Sequence, residues 1–217
     1  MLRLYIENVL TPAQKDVFAK LSTLKRIGIL AGGTALAFQL QHRRSFDFDI
    51  FTSKDIPEDL AWEVKKIFGK IKIFKESENE LTFFTSRKVK ITFFHYPFRP
   101  LYKIIKTNQI SLFNWRDIAA DKAYTLGRRP IYRDYVDLYF IMKRGREIED
   151  IISDAKKKFK DLFSEKLFLR QLIYFGDIKD FTIEFLGETF QPEEIKSFFE
   201  EAVEQYTQNI FKKKLKK

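Results

Sequence analysis

A pair of glycines opens a helix, and the strand that follows carries two aspartates: Gly32 to Phe51 reads GGTALAFQLQHRRSFDFDIF. Successive side chains on a strand alternate between faces, so Asp47 and Asp49 share one face. Phe46, Phe48 and Ile50 take the other and are expected to point at a core. Two adjacent carboxylates repel each other, and a cation between them relieves that cost. Hard oxygen ligands of this kind suit Mg²⁺, with Mn²⁺ as the alternative ion. A glycine turn at a helix N-terminus offers backbone N–H groups and a favourable dipole to an anion. The segment therefore reads as a site for a divalent ion and a nucleoside triphosphate. Glycine pairs also make ordinary turns, and paired acids also line solvated faces. The order and spacing of both within twenty residues carry the stronger reading.

The remainder of the chain constrains the setting. A chain of 217 residues, 45% of them hydrophobic, has room for one large domain or two small ones. Its 24 Phe imply an aromatic core, and Trp62 and Trp115 are expected to join it. There is no run of about eighteen apolar residues, so no membrane span is expected. The N-terminus carries acids and no long apolar stretch, unlike a secretory signal. The absence of cysteine excludes disulfides and thiolate chemistry and agrees with a cytoplasmic location. His42 reads as a surface residue at a helix end and His95 as a strand end. Net charge is +10, which favours a polyanionic partner such as RNA. A Lys- and Glu-rich surface serving stability is the competing explanation. The run from Lys212 to Lys217 reads as a frayed basic tail.

Periodicity divides the chain near Asn114. Residues 1–113 read as an α/β half: a helix capped by Thr11 and Pro12, a strand over 27–30, the glycine-turn helix over 33–41 and the Asp47/Asp49 strand over 46–52. A helix over 57–69 follows, then strands over 71–74, 81–85 and 89–94, and a last strand over 110–113. Residues 114–217 read as helices over 115–128, 132–143, 147–159, 164–174 and 192–211. No flexible linker joins the halves, which are expected to pack tightly around a cleft.

A second constellation lies in DIAADKAYTLGRRPIYRDYVDLYFI, from Asp117 to Ile141. Lys122 stands in a run of alanines that lets another backbone approach, and it is expected to face the cleft. Arg129 ends its helix, where the dipole favours a cation. Asp134 and Asp137 are spaced i, i+3 and face one direction on the next helix. A solvated Lys122 and surface ion pairs at Asp134 and Asp137 are the alternative, worth only ~0–1 kcal/mol each.

The two blocks together resemble the AbiEii/AbiGii-type nucleotidyltransferase toxin family, within the polymerase β-like nucleotidyltransferases. The first block is similar to the family's GGTALA and R-x-S-x-D-x-D at Gly32, Gly33, Thr34, Ala35, Leu36, Ala37, Arg43, Ser45, Asp47 and Asp49. The second is similar to its D-[IL]-x-A-x-K and R-D-x-x-D-L at Asp117, Ala120, Lys122, Arg133, Asp134, Asp137 and Leu138. The resemblance implies an α+β fold, a polymerase β-like mixed sheet with helices followed by a C-terminal helical domain. It implies Mg²⁺-dependent transfer of a nucleoside monophosphate from an NTP to a hydroxyl on RNA, tRNA included, or on protein. Asp47 and Asp49 would hold the metal. Gly32, Gly33, Thr34, Ser45, Arg43 and Arg129 would surround the nucleotide. Lys122 would contact the triphosphate, and Asp134 or Asp137 would support catalysis. Some relatives are type IV toxins, which implies an antitoxin partner. Many relatives carry a third carboxylate on a neighbouring strand; here Thr92 stands in its place. The alternative reading is a catalytically inactive nucleotide- or RNA-binding module, or an interaction protein.

Overall fold

The computed structural model describes residues 4–215. The chain divides into two units, Met1–Ile118 and Ala119–Lys217. The division falls inside a helix that begins just after Asn114, the joint marked in the sequence.

In the first unit, a short helix α1 (Ile6–Val9) leads to α2 (Pro12–Lys20). The α2 start is fastened by a reciprocal capping box between Thr11 and Gln14, with Pro12 in the first turn. Strand β1 (Ile29–Ala31) runs directly into α3 (Gly32–Leu40), and β2 (Asp47–Thr52) follows. Then come α4 (Leu60–Phe68), β3 (Ile71–Ser77), β4 (Glu80–Thr85) and β5 (Lys90–His95). The five strands form one mixed sheet in the order β1-β2-β5-β4-β3. Only the β2–β5 pair is parallel.

Registry sorts the side chains of this sheet. Phe48 pairs with Ile91 and Ile50 with Phe93, while Leu81 and Phe83 pair with Phe93 and Ile91 from the far side. All six are fully or almost fully buried. Phe18 of α2 packs edge-on against Phe38 of α3 at 5.1 Å and lies over Phe48 at 6.0 Å. Phe68 of α4 meets Phe83 at 5.7 Å. The helices therefore cover one face of the sheet with aromatic packing, and Asp47 and Asp49 project from the opposite face. Gln39 holds α3 in place. Its amide donates to the Ala35 and Phe113 carbonyls at 2.7 and 2.9 Å, and its oxygen accepts from Trp115 N at 2.9 Å.

Four sequence expectations need correction here. Phe46 is 42% exposed, because pairing of β2 begins only at Asp47. Trp62 is 65% exposed on α4, whose buried stripe is Leu60, Val64 and Phe68. Lys66 Nζ lies 5.2 Å over its ring, so the indole is covered by a cation instead of a core. His42 is buried, not at the surface. Residues 110–113 form no strand; Leu112 makes isolated bridges to Leu30 and to Ile105.

In the second unit, α5 (Trp115–Leu126) continues from its capped start, where Asn114 Oδ1 accepts from Arg116 N at 3.0 Å. It is followed by α6 (Tyr132–Lys143), α7 (Ile148–Phe159), α8 (Glu165–Leu172) and α9 (Pro192–Leu215). Tyr135 of α6 packs at 4.6 Å from Phe175 and 6.3 Å from Phe199 of α9. Tyr206 of α9 donates to Glu165 of α8 at 2.7 Å. Helix α9 runs through Lys212 and Lys213 to Leu215, so the start of the basic run is helical. Lys216 and Lys217 lie outside the described residues. No described helix is long and apolar enough to cross a membrane.

Candidate functional site

The chain turns from β1 into α3 at Gly32, whose φ is +63°. That conformation favours glycine, and space demands it too. A Cβ on Gly32 would stand 2.7 Å from Asp49 Oδ2. Ala31, the residue before the turn, is the register partner of Asp49. One carboxylate of the pair is thus seated against the backbone at the N-terminus of α3, where N–H groups and dipole favour negative charge. Gly33 makes a similar fit: a Cβ there would come 2.5 Å from Arg43 Nη2 and 3.4 Å from Ser45 Oγ. A side chain at Gly32 would have to displace the Asp49 carboxylate, and one at Gly33 the Arg43 guanidinium.

The residues around this turn are tied down. Arg43 is buried, and its guanidinium donates to the Arg44 carbonyl at 2.9 Å. The Ser45 carbonyl accepts from Gln14 Nε2 at 2.6 Å. The Thr34 hydroxyl donates to the Asp47 carbonyl and lies 2.8 Å from Ser45 Oγ. Thr34 is buried, so in this structure its hydroxyl fastens α3 to the start of β2. Asp47 and Asp49 are each only partly buried on the face away from the core. Among the described residues no group of three or more His, Cys, Asp or Glu is placed to share a metal ion. Two carboxylates beside an anion cradle nevertheless suit Mg²⁺, which is usually held by one or two carboxylates, with phosphate oxygens and water completing its shell.

The neighbouring strand supplies no carboxylate beside Asp47 or Asp49. Thr92 is the direct register partner of Asp49 across the parallel β2–β5 pair, and Lys90 is the partner of Asp47. Thr92 in turn pairs with Thr82 of β4, and Thr82 with Lys75 of β3. One row of side chains therefore crosses the whole sheet: Ala31, Asp49, Thr92, Thr82, Lys75.

The second constellation is a buried ion cluster. Lys122 of α5 reaches Asp134 of α6 at 2.5 Å and Asp137 at 2.7 Å. All three are at most 8% exposed. The surface-pair alternative is excluded by that burial. The i, i+3 spacing does put both acids on one side, as their shared contact with Lys122 shows. Arg129 is largely exposed, with Nη2 3.7 Å from Asp134 Oδ2. Arg133 is exposed. Asp117 is fully buried, and its two oxygens accept from Leu101 N at 2.8 Å and Tyr102 N at 2.9 Å. The motif aspartate therefore braces a loop. A further buried pair, Lys158 with Asp121 at 2.7 Å, joins α7 to α5. Sequence inspection missed it, because the partners lie 37 positions apart and no local spacing reveals the contact.

Residues 18–217 match the family described as nucleotidyl transferase AbiEii toxin, type IV toxin–antitoxin system. The chain belongs to this AbiEii family. The matched span takes in the glycine turn, both strand aspartates and the Lys122 cluster. An uncharacterised protein of Aquifex aeolicus (strain VF5) is 32% identical over 189 residues, covering 83% of this AbiEii chain and 88% of the relative. Among solved structures, a candidate nucleotidyltransferase from H. pylori superposes with a TM-score of 0.59 at 18% identity, covering 94% of this chain and 98% of its own. The antibiotic-resistance factor ANT(2'')-Ia gives 0.50 at 11% identity, covering 68% and 92%. At those identities the likeness is one of fold, and it agrees with the α+β architecture of this AbiEii protein.

Proposed function

We propose that the chain transfers a nucleoside monophosphate from an NTP to an acceptor hydroxyl on RNA, tRNA included, or on protein. The observation that carries this is the seating of the Asp49 carboxylate against Gly32 at the mouth of α3. A carboxylate held at a helix N-terminus supports the reading of a divalent ion bound together with a triphosphate. Asp47 and Asp49 would hold Mg²⁺ or Mn²⁺, which when bound screens the triphosphate charge. The N–H groups at Gly32 and Gly33 bind phosphate oxygens, and Arg43 lies behind them. The acceptor oxygen forms a bond to the α-phosphorus, the α–β phosphoanhydride bond breaks, and pyrophosphate leaves with the electron pair. The acceptor hydroxyl gives up its proton, which ends in water. Positioning and fixed charge supply most of the rate in such chemistry.

From the family pattern we also assign Lys122 to the triphosphate and Asp134 or Asp137 to support of the reaction. Family membership supports an antitoxin partner. The lack of cysteine supports a reducing, cytoplasmic setting.

The test is transfer of label from α-labelled NTPs, each supplied with Mg²⁺ and with tRNA, bulk RNA or protein acceptors. Asp47→Asn and Asp49→Asn should each lower transfer at least a hundredfold. Undiminished transfer in either variant would refute the assignment. Thr92 favours a second reading, a nucleotide-binding module without turnover. Tight NTP binding with no labelled product on any acceptor would select it.

A further inference from the structure

Thr92 has the place beside Asp49 where a third acid would stand, and its hydroxyl is not isolated. Thr92 Oγ1 lies 3.2 Å from Thr82 Oγ1, and Thr82 Oγ1 lies 2.8 Å from Glu80 Oε1. The other Glu80 oxygen accepts from Lys75 Nζ at 2.7 Å. Burial alone would raise the Glu80 carboxyl. Hydrogen bonds from Lys75 and Thr82, with the charges of Lys75 and Lys90, outweigh it and hold the group below its ordinary value. Glu80 is thus ionised at neutral pH.

The direction of these hydrogen bonds follows from counting protons. An ionised carboxylate only accepts, and each threonine has one hydroxyl proton. Thr82 gives its proton to Glu80. The bond between the threonines must then be donated by Thr92. The Thr92 proton points towards β4, and the Thr92 oxygen is left as an acceptor beside Asp49.

We infer that Thr92, Thr82 and Glu80 form a relay that supplies the missing third carboxylate from one strand further away. The inference rests on the transferase reading. The acceptor hydroxyl donates to Thr92 Oγ1, which aims its oxygen at the α-phosphorus. As the new P–O bond forms, that proton passes to Thr92, the Thr92 proton to Thr82, and the Thr82 proton to Glu80. One proton is delivered in total; Glu80 becomes neutral and returns it to water through its partly exposed edge. Both threonines end as they began. Thr92 touches the reacting hydroxyl, whereas Thr82 is a positioning residue and Glu80 the terminal proton acceptor.

The experiment is steady-state transfer from α-labelled NTP over pH 4–9, using the full chain and an acceptor established with the unaltered protein. Thr92→Val should lower kcat by about 10²-fold with the KM for NTP unchanged. Glu80→Ala should do the same and remove the acid limb of the pH profile. The double variant should be no worse than Thr92→Val, as expected of residues acting as one unit. Thr92→Ser should retain kcat. Thr92→Asp should restore it in the Glu80→Ala background. Valine and serine both fit the threonine site closely, so misfolding does not obscure the comparison. If the unaltered protein transfers label, and Asp47→Asn abolishes it, while Thr92→Val and Glu80→Ala stay within twofold, the relay is wrong and the transferase reading stands. If the unaltered protein transfers nothing to any acceptor, both fall.

Discussion

The Asp49 carboxylate fills the space that a side chain on Gly32 would occupy, with its Oδ2 2.7 Å from the Cβ position. An acid and a helix N-terminus are thereby held together by a residue that has no side chain.

Gly32→Ala should therefore fail in two ways. The positive φ costs a non-glycine residue about 1–3 kcal/mol, and the new methyl displaces Asp49. Gly69, at the end of α4, also has a positive φ, +73°, but nothing lies within 4 Å of its Cβ position. Gly69→Ala should lose comparable stability and keep full transfer at a permissive temperature. Urea melts alongside transfer assays separate the two effects. Equal activity in both variants would show that Asp49 need not sit where it does.

Lys122 is shared by two buried acids, Asp134 and Asp137. Lys122→Met removes the ammonium shared by Asp134 and Asp137, leaving the largely exposed Arg129 3.7 Å from Asp134, and should cost about 3–5 kcal/mol in denaturant unfolding. The triple change of Lys122→Met, Asp134→Asn and Asp137→Asn should recover part of that loss. If NTP affinity falls in a Lys122→Arg variant of unaltered stability, the triphosphate role gains support; unchanged affinity restricts Lys122 to holding α5 against α6.

Asp117 is expected to matter for stability more than for chemistry. Asp117→Ala leaves the Leu101 and Tyr102 N–H groups without their acceptor, at a cost of roughly 2 kcal/mol or more. Residual transfer at low temperature should stay within a few-fold of normal. A large loss of kcat in a folded Asp117→Asn variant would contradict the bracing role.

Alkaline pH should expose a weakness in the helical unit. Burial, with the charges of Glu193 and Glu194, pushes the Tyr132 phenol up to about 12. Burial, with the charges of Asp177 and Asp134, also pushes Tyr135 up to about 12, against the hydrogen bond from Gln171. A raised phenol favours the neutral form in the folded state. The resulting stability is complete below pH 10, where the unfolded chain's tyrosines titrate, and is lost as pH rises towards 12. The slope should be about 1.4 kcal/mol per pH unit for each tyrosine. Tm measured from pH 8 to 12 should fall steeply only above pH 10, and less steeply in Tyr132→Phe and Tyr135→Phe.

At neutral pH those two variants should differ. The Tyr135 hydroxyl lies 3.0 and 2.9 Å from the Gln171 and Tyr174 carbonyls and accepts from Gln171 Nε2 at 3.0 Å. Removing it should cost about 1–2 kcal/mol. The buried Tyr132 hydroxyl has no hydrogen-bond partner among the described residues, so Tyr132→Phe should be neutral or stabilising. Equal destabilisation in chemical melts would show that Tyr132 has a partner after all.

Local signals in the sequence set much of the architecture. The Thr11–Gln14 capping box, the glycine turn into α3 and the alternation from Asp47 to Ile50 are short-range features. Their geometry follows from backbone sterics and strand period. So does the spacing that turns Asp134 and Asp137 to one side. The same rules misplaced Phe46, because alternation says nothing about where a ladder starts, and they misplaced Trp62, because an amphipathic helix does not state how far its buried stripe extends. Tertiary structure decided what no local rule reaches. Registry brought Thr92 beside Asp49 and Thr82 beside Thr92, so that Glu80 of β4, which accepts from Thr82, comes within two strands of Asp47 and Asp49. Folding also buried Lys122 between two carboxylates and Asp117 against a loop. Strand pairing and ion pairing join residues far apart in sequence, and only chain closure determines which of them meet.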